Sequence, residues 1–315
     1  LNVLILGAGA VGLGIAAKLS EVIDVTAITR EGPARTISEQ GLDLEGAWGL
    51  GTYRFPCSSM PPSGVNFDYI LISTKAYSTR EVCDNYPGLL RDAEVISLQN
   101  GLGSEEIISG FTSRVIGGVV MSGFIRQNER TVYVTANAGE TIFGRFPTGM
   151  DAEVTQLAGI FNAAGIPARA AGDIKDRLWS KNLISCTLNP ISAVLGVRYG
   201  VLTRGPAWRI ISGITHEVFL VAGAEGVTLQ WDNPEDYLAY LKNELIPVMA
   251  THTSSMLQDI GCGRRTEIGF MNGAITKYGE THGIATPYNE CLTNMVQFRE
   301  QEQMDTQVFC ARPAR

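Results

Sequence analysis

Leu1-Asn2-Val3-Leu4-Ile5-Leu6-Gly7-Ala8-Gly9-Ala10-Val11-Gly12 begins as an apolar run and passes directly into three glycines. The run is short and rich in β-formers, so it reads as a buried strand. Gly7, Gly9 and Gly12 then have the GxGxxG spacing. Glycines there permit a tight turn, close approach of the backbone to a pyrophosphate, and close packing of helix on strand. The helix that follows presents its free N–H groups to the phosphates. Taken alone the pattern fits any glycine turn. Here an amphipathic stretch carrying Ile15 and Leu19 follows it, and a second strand is expected at residues 25–29. Strand, glycine loop, helix and strand in that order point to a dinucleotide-binding unit, with Gly7, Ala8, Gly9, Ala10, Val11 and Gly12 on the cofactor.

The end of the second strand discriminates between cofactors. An Asp or Glu there accepts from the adenosine ribose diol of NAD, whereas a guanidinium holds a 2′-phosphate. This chain has Thr29-Arg30. An ordinary surface arginine is the plainer alternative, but its position favours NADP. Lys75, in Ser73-Thr74-Lys75-Ala76, and Asn100, in Gln99-Asn100-Gly101, each follow an expected strand. Ligands of open α/β sheets collect at such strand ends. A solvated loop lysine and a turn Asn-Gly remain the bland readings of each.

Working outward, further strands are expected at residues 3–6, 69–73, 95–98 and 115–120, with helices beginning near Ala10, Tyr77 and Ser104. That alternation implies a parallel sheet with helices on both faces. Residues 132–135 and 140–143 read as strands that complete this half. Beyond Pro167 the pattern turns helical, with long periodic stretches at Ile174–Leu195, 206–225 and 234–258, and Thr286-Pro287 opening a last helix as N-cap and first residue. The expected architecture is a Rossmann-type α/β N-terminal domain (1–170) plus an all-α C-terminal domain (171–315).

Composition limits the function classes. At 45% hydrophobic and 18% charged residues the chain has the make-up of a folded globular protein. A net charge of −7 argues against a nucleic-acid partner. No apolar run approaches the roughly 20 residues that span a bilayer, and the N-terminal stretch reads as a strand rather than a signal peptide. Six cysteines without a CxxC pair read as reduced thiols of a cytoplasmic protein, with no metal site expected. Oligomeric state is not legible; a homodimer is one open option.

In the helical half, Lys181, Ser185 and Asn189 recur at i, i+4 and i+8, a stripe with one cation and two small hydrogen-bonding groups. A surface lysine on an amphipathic helix accounts for that spacing equally well. At this point the chain resembles the ketopantoate reductase (2-dehydropantoate 2-reductase) family. The resemblance rests on the N-terminal GxGxxG, Ser73-Thr74-Lys75-Ala76, Gln99-Asn100-Gly101, Leu178-Trp179-Ser180-Lys181 and Asn189-Pro190. It continues through Ser254-Ser255-Met256-Leu257-Gln258-Asp259, Arg265-Thr266-Glu267-Ile268, Asn272-Gly273 and Gly283-Ile284-Ala285-Thr286-Pro287-Tyr288-Asn289. No one piece is decisive; their order and spacing together are specific.

The resemblance implies that Lys181 is the catalytic lysine and Glu267 its partner acid, also close to the cofactor. It implies that Asn100 lies between cofactor and substrate, that Lys75 and Arg30 serve the cofactor, and that Ser185, Asn189 and Ser255 bind substrate. Three positions depart from the common pattern: Ser185 and Tyr199 stand where asparagine is usual, and His252 where another polar side chain is common. They touch the pocket rather than the hydride path. The implied activity is NADPH-dependent reduction of 2-dehydropantoate to (R)-pantoate in pantothenate biosynthesis, with Lys181 as proton donor. Alternatives are a D-2-hydroxyacid dehydrogenase of the same superfamily acting on a branched or aromatic 2-oxo acid, and a non-catalytic dinucleotide sensor, for which a proton donor would have no use.

Overall fold

In the computed structural model, which describes residues 1–137 and 139–310, alternate side chains of the first strand enter two different cores. Val3 and Ile5 pack with Leu13, Leu19 and Phe161, while Leu4 and Leu6 pack with Cys83, Leu90 and Ile108. Successive strand residues point to opposite faces, so a strand apolar at every position must be covered on both sides. The same division recurs at Tyr69 and Leu71 against Ile70 and Ile72. The side chains of residues 136, 137 and 303–310 lie outside the description, and that of Cys310 with them.

Among the described residues the strands are β1 (Asn2–Leu6), β2 (Asp24–Ile28), β3 (Leu42–Gly46), β4 (Gly51–Tyr53), β5 (Cys57–Ser58) and β6 (Tyr69–Ile72). They continue as β7 (Glu94–Ser97), β8 (Val115–Val119), β9 (Ser122–Arg126), β10 (Thr131–Asn137), β11 (Thr141–Arg145) and β12 (Ala168–Ala170). One sheet has eight strands in the order β12-β11-β8-β7-β6-β1-β2-β5, parallel except where β11 meets β8. This is the expected Rossmann-type α/β arrangement. The helices of this half are α1 (Ala10–Leu19), α2 (Glu31–Gln40), α3 (Thr79–Asn85), α4 (Pro87–Asp92), α5 (Ser104–Ser109) and α6 (Ala152–Ala163).

A second, four-stranded sheet (β4-β3-β10-β9) goes beyond the strands read from the sequence. It lies against α1. A Cβ at Gly12 would meet Ile5 at 3.1 Å and Ser73 at 2.3 Å, whereas one at Gly14 would meet Phe124 at 2.8 Å. Two glycines inside one short helix cost propensity; here they let α1 sit close to both sheets.

The chain divides into two compact units. One comprises Leu1–Gln99 and Gly103–Leu178; the other comprises Asn100–Leu102 and Trp179–Arg315. The division therefore falls inside the helix α7 (Ile174–Leu195), later than the 170/171 boundary expected from texture. Ile174 explains this: it fills the space over Gly117 of β8 and Gly144 of β11, where added Cβ atoms would stand 2.8 and 2.6 Å from it.

The regular elements of the second unit are all helices among its described residues. After α7 come α8 (Gly205–Ala224), α9 (Pro234–Tyr240), α10 (Ile246–Val248), α11 (Ser255–Gly261), α12 (Asn272–His282) and α13 (Pro287–Cys310). The single helix expected over 234–258 is replaced by α9, a π-helical turn at Leu241–Leu245, α10 and α11. Pro247 lacks the N–H a continuous helix requires, and Ser254 starts a new helix by accepting from Leu257 N at 3.1 Å.

Pro190, inside α7, likewise leaves the Cys186 carbonyl without its helical donor. Asn272 Nδ2 donates to that carbonyl at 3.2 Å and to Asn289 Oδ1 at 2.9 Å. The buried Glu217 carboxylate in turn accepts from the N–H groups of Tyr288 and Asn289 and from Asn289 Nδ2. Three motifs distant in sequence thus form one buried network.

Candidate functional site

The glycine loop has the shape of a phosphate cradle. Gly7 adopts φ +74°, a region that L side chains rarely adopt, and a Cβ there would stand 1.9 Å from Thr74 Cγ2. Its carbonyl accepts from Gly9 N at 2.7 Å and Ser73 Oγ at 3.3 Å, while Ala8 N donates to Ile28 O at 2.7 Å. The direction of a Cβ at Gly9 is open, its nearest atom being Gly7 O at 3.9 Å. Gly9 is the N-cap of α1 and has no side chain to cap the first-turn N–H groups of Ala10, Val11 and Gly12. Space beside Gly9 and first-turn N–H groups that no side chain caps fit the pyrophosphate of a dinucleotide.

Thr74, pressed against Gly7, is held by Gln99 Nε2 through its carbonyl (3.0 Å) and its hydroxyl (3.1 Å), and Gln99 Oε1 accepts from Thr79 Oγ1 at 3.0 Å. Gln99 is therefore a buried brace that sets the loop carrying Lys75, which is half-buried and precedes a 3-10 turn. Arg30 follows Ile28 by two residues, is exposed and is the N-cap of α2. Sequence reading passed over Arg126, at the end of β9. Its Nε donates to Asn128 O at 3.0 Å and its Nη2 to Glu129 O at 2.6 Å. Burial, then the charge of neighbouring Arg30, holds this guanidinium below its ordinary value. Nothing in the local spacing around Arg126 announces that neighbour.

In the second unit Lys181, Ser185 and Asn189 share one face of a continuous α7, Lys181 and Ser185 half-buried and Asn189 nearly enclosed. Asn189 is the best-defined of them. Its Oδ1 accepts from Tyr199 Oη at 2.5 Å, its Nδ2 meets the Met271 sulfur at 3.7 Å, and its carbonyl accepts from Ser254 Oγ at 3.4 Å. Two of the departures noted in the sequence meet here: Tyr199 N donates to His252 O at 3.2 Å, and their rings lie 5.2 Å apart. Burial pushes the Tyr199 phenol up and the His252 imidazole down, so both are neutral at neutral pH. Ser255, exposed, is the first residue of α11, directly after Ser254.

Glu267 is buried and precedes a 3-10 turn, its carbonyl accepting from Phe270 N at 2.9 Å and Met271 N at 3.1 Å. That turn is a hub. Phe270 O accepts from Leu102 N at 2.7 Å, and a Cβ at Gly101 (φ +92°) would stand 2.3 Å from the same oxygen. The Asn100–Leu102 segment is thereby seated beside the Glu267 turn, whose Met271 reaches Asn189. Of the site residues expected from sequence, Glu267 adjoins this turn through its carbonyl, Asn189 meets Met271, and Asn100 directly precedes the Gly101–Leu102 pair seated on Phe270 O. Lys181 and Ser185 lie on the same helix as Asn189. Gly7–Gly12, Lys75 and Arg30 belong to the first unit.

Among the described residues no group of His, Cys, Asp and Glu could hold a metal ion, and no helix is long and apolar enough to cross a membrane. The five described cysteines are free thiols.

Residues 3–148 match the family described as Ketopantoate reductase PanE/ApbA, and residues 173–300 match Ketopantoate reductase PanE/ApbA C terminal. The chain is 32% identical over 302 residues to the 2-dehydropantoate 2-reductase of Pyrococcus horikoshii, covering 95% of this chain and 98% of that protein. It is 32% identical over 313 residues to the enzyme of the same name from Aquifex aeolicus, with 94% and 96% covered. Among solved structures, a PanE/ApbA family ketopantoate reductase from Ralstonia eutropha JMP134 superposes with a TM-score of 0.88 at 30% identity, over 96% of this chain and all (100%) of that one. D-mandelate dehydrogenase with NADH and anilino(oxo)acetate reaches the same TM-score of 0.88 at 26% identity, over 96% and 99%. Matched by the family in both halves, and by relatives at 32% identity over nearly its whole length, the chain belongs to the ketopantoate reductase family.

Proposed function

We propose that this protein is an NADPH-dependent 2-dehydropantoate 2-reductase, forming (R)-pantoate for pantothenate biosynthesis. The observation that carries the reading is that one short turn gathers Glu267, which precedes it, the segment following Asn100, which bonds to it, and Asn189, which meets Met271 at its end, in a chain whose relatives are named for this reaction. The first unit is the cofactor-binding half, through Gly7–Gly12, Lys75 and Arg30. The second is the substrate half, with Ser185, Asn189 and Ser255 on the 2-oxo acid and Asn100 and Glu267 also serving the cofactor side.

A reduced nicotinamide, when bound, supplies the hydride for the ketone carbon. Negative charge then develops on the carbonyl oxygen, and the site must stabilise and protonate it. Lys181 does both: Nζ donates to the oxygen and transfers a proton to it, leaving the product hydroxyl. Glu267 orients the lysine or the nascent hydroxyl. Asn189 offers Nδ2, whose sole partner among the described residues is a thioether sulfur, a weak acceptor that a substrate oxygen readily displaces.

A second reading has a specific observation behind it. The likeness to D-mandelate dehydrogenase, together with Tyr199 on Asn189, supports a D-2-hydroxyacid dehydrogenase acting on a branched or aromatic 2-oxo acid. Steady-state kinetics with 2-dehydropantoate, 2-oxoisovalerate and phenylglyoxylate, each with NADPH and NADH, separates the two. The proposal expects 2-dehydropantoate with NADPH to give the highest kcat/KM. A higher value for phenylglyoxylate selects the dehydrogenase, and absence of turnover on every acid refutes both.

A further inference from the structure

A half-buried guanidinium beside another of the same charge is unfavourable unless an anion joins them. Arg30 and Arg126 form such a pair at the N-terminal end of α2. Arg30 is its N-cap. Arg126 is fixed there by the turn between β9 and β10: it donates to Asn128 O and Glu129 O, and the Glu129 carboxylate accepts from Thr36 Oγ1 of α2 at 3.0 Å. A Cβ at Gly32, in the first turn of α2, would stand 3.4 Å from the same carboxylate. The hairpin therefore clasps the start of α2 and holds Arg126 beside it.

Both cations have donors to spare. Two of the five N–H groups of Arg126 are committed, and its Nη1 donates to nothing among the described residues. Arg30 makes no ion pair among the described residues. Burial and the neighbouring Arg30 charge outweigh the Glu129 carboxylate, leaving the guanidinium below its ordinary value.

We infer that Arg126 is a second cofactor-selecting residue, pairing with Arg30 on the 2′-phosphate of the adenosine. The inference rests on the NADPH reading above and adds the residue that the glycine motif and strand-end position do not indicate. A phosphate dianion between two guanidinium groups relieves their repulsion and takes charge-assisted bonds from both. A ribose diol does neither, so the selectivity is carried by two residues, one capping α2 and one ending β9, rather than by one.

The test is equilibrium binding by calorimetry of 2′,5′-ADP and 5′-AMP, which differ only in the 2′-phosphate. It is run on the wild-type protein and on Arg30→Ala, Arg126→Gln and Arg126→Lys, with thermal melting of each. Loss of one charge-assisted bond should weaken 2′,5′-ADP by about 10-fold or more and leave 5′-AMP unchanged. Arg126→Lys should retain part of the preference, since it keeps charge but not the planar fork, and raised salt should narrow the wild-type preference. Equal weakening of both nucleotides by Arg126→Gln and Arg126→Lys, or of neither, overturns the inference; a brace of the hairpin would behave in that way. If Arg30→Ala weakens 2′,5′-ADP alone in that case, the NADPH reading stands without Arg126. If the wild-type protein binds the two nucleotides alike, the NADPH reading fails and this inference with it.

Discussion

Tyr199→Phe removes one oxygen from a buried cluster and should separate the structural from the functional part of Asn189. Tyr199 Oη donates to Asn189 Oδ1 at 2.5 Å, and both side chains are buried. The bond fixes which way the amide faces, so that Nδ2, which among the described residues meets only the Met271 sulfur at 3.7 Å, is the end presented as donor. Without the hydroxyl, Oδ1 is left buried and unsatisfied, which costs about 1–3 kcal/mol. The amide is then also free to turn its acceptor toward the bound acid. Losing one oriented hydrogen bond of about 0.5–1.5 kcal/mol should raise KM for the 2-oxo acid roughly 2- to 12-fold. The proposed proton donor, Lys181, is untouched, so kcat should change little. The assay pairs urea denaturation with steady-state kinetics on the same preparation. A variant that loses stability while keeping KM unchanged would remove Asn189 from substrate binding. One that loses kcat with KM unchanged would place the defect in the chemical step and refute the orientation argument.

Lys181→Ala should lower turnover about 10²- to 10⁴-fold, the usual worth of general acid catalysis, with NADPH binding retained in a fluorescence titration; near-normal turnover would dismiss the lysine. Asn272→Ala leaves the Cys186 carbonyl and Asn289 Oδ1 without their shared donor, at about 2–5 kcal/mol including the cavity. Adding Pro190→Ala returns an N–H to that carbonyl. It should therefore stabilise the Asn272→Ala protein more than the wild type, by a coupling above about 0.5 kcal/mol in a denaturation cycle. Asp151→Ala tests a helix cap in the first unit. Asp151 accepts from Val154 N at 3.0 Å and from Arg145 Nε at 2.7 Å. Partial burial opposes ionisation there, but these partners outweigh it and hold the carboxyl below its ordinary value. A depressed carboxylate contributes stability that is complete above about pH 4 and lost as pH falls through the native value. Wild type should exceed the variant by about 1 kcal/mol at pH 7, with the difference closing as pH falls below 4.

The strand–glycine–helix opening, the alternation behind the main sheet and the stripe Lys181–Ser185–Asn189 are all local patterns. Their causes act within a few residues: period-2 burial, a φ that favours glycine, an i, i+4 spacing. They could therefore be read along the chain before any contact was known. The break in 234–258 was also written locally, in Pro247 and Ser254, but sustained helical periodicity concealed it. Of the four-stranded sheet only β10 was legible, at 132–135; β3, β4 and β9 are short, and β3 pairs with β10 across more than eighty residues, a pairing that depends on what each segment meets, not on its own pattern. The same holds for the second unit's claim on Asn100–Leu102, made by the Phe270 carbonyl, and for the donor that Asn272 offers beneath Pro190. It holds above all for Arg126. A lone arginine ending an otherwise unremarkable strand has no periodic signature, and its meaning comes from Arg30, ninety-six positions earlier, brought beside it by folding. Residue types and spacing specify which chemistry the chain can carry; which of those groups share one ligand is decided only when distant backbone hydrogen bonds bring them together.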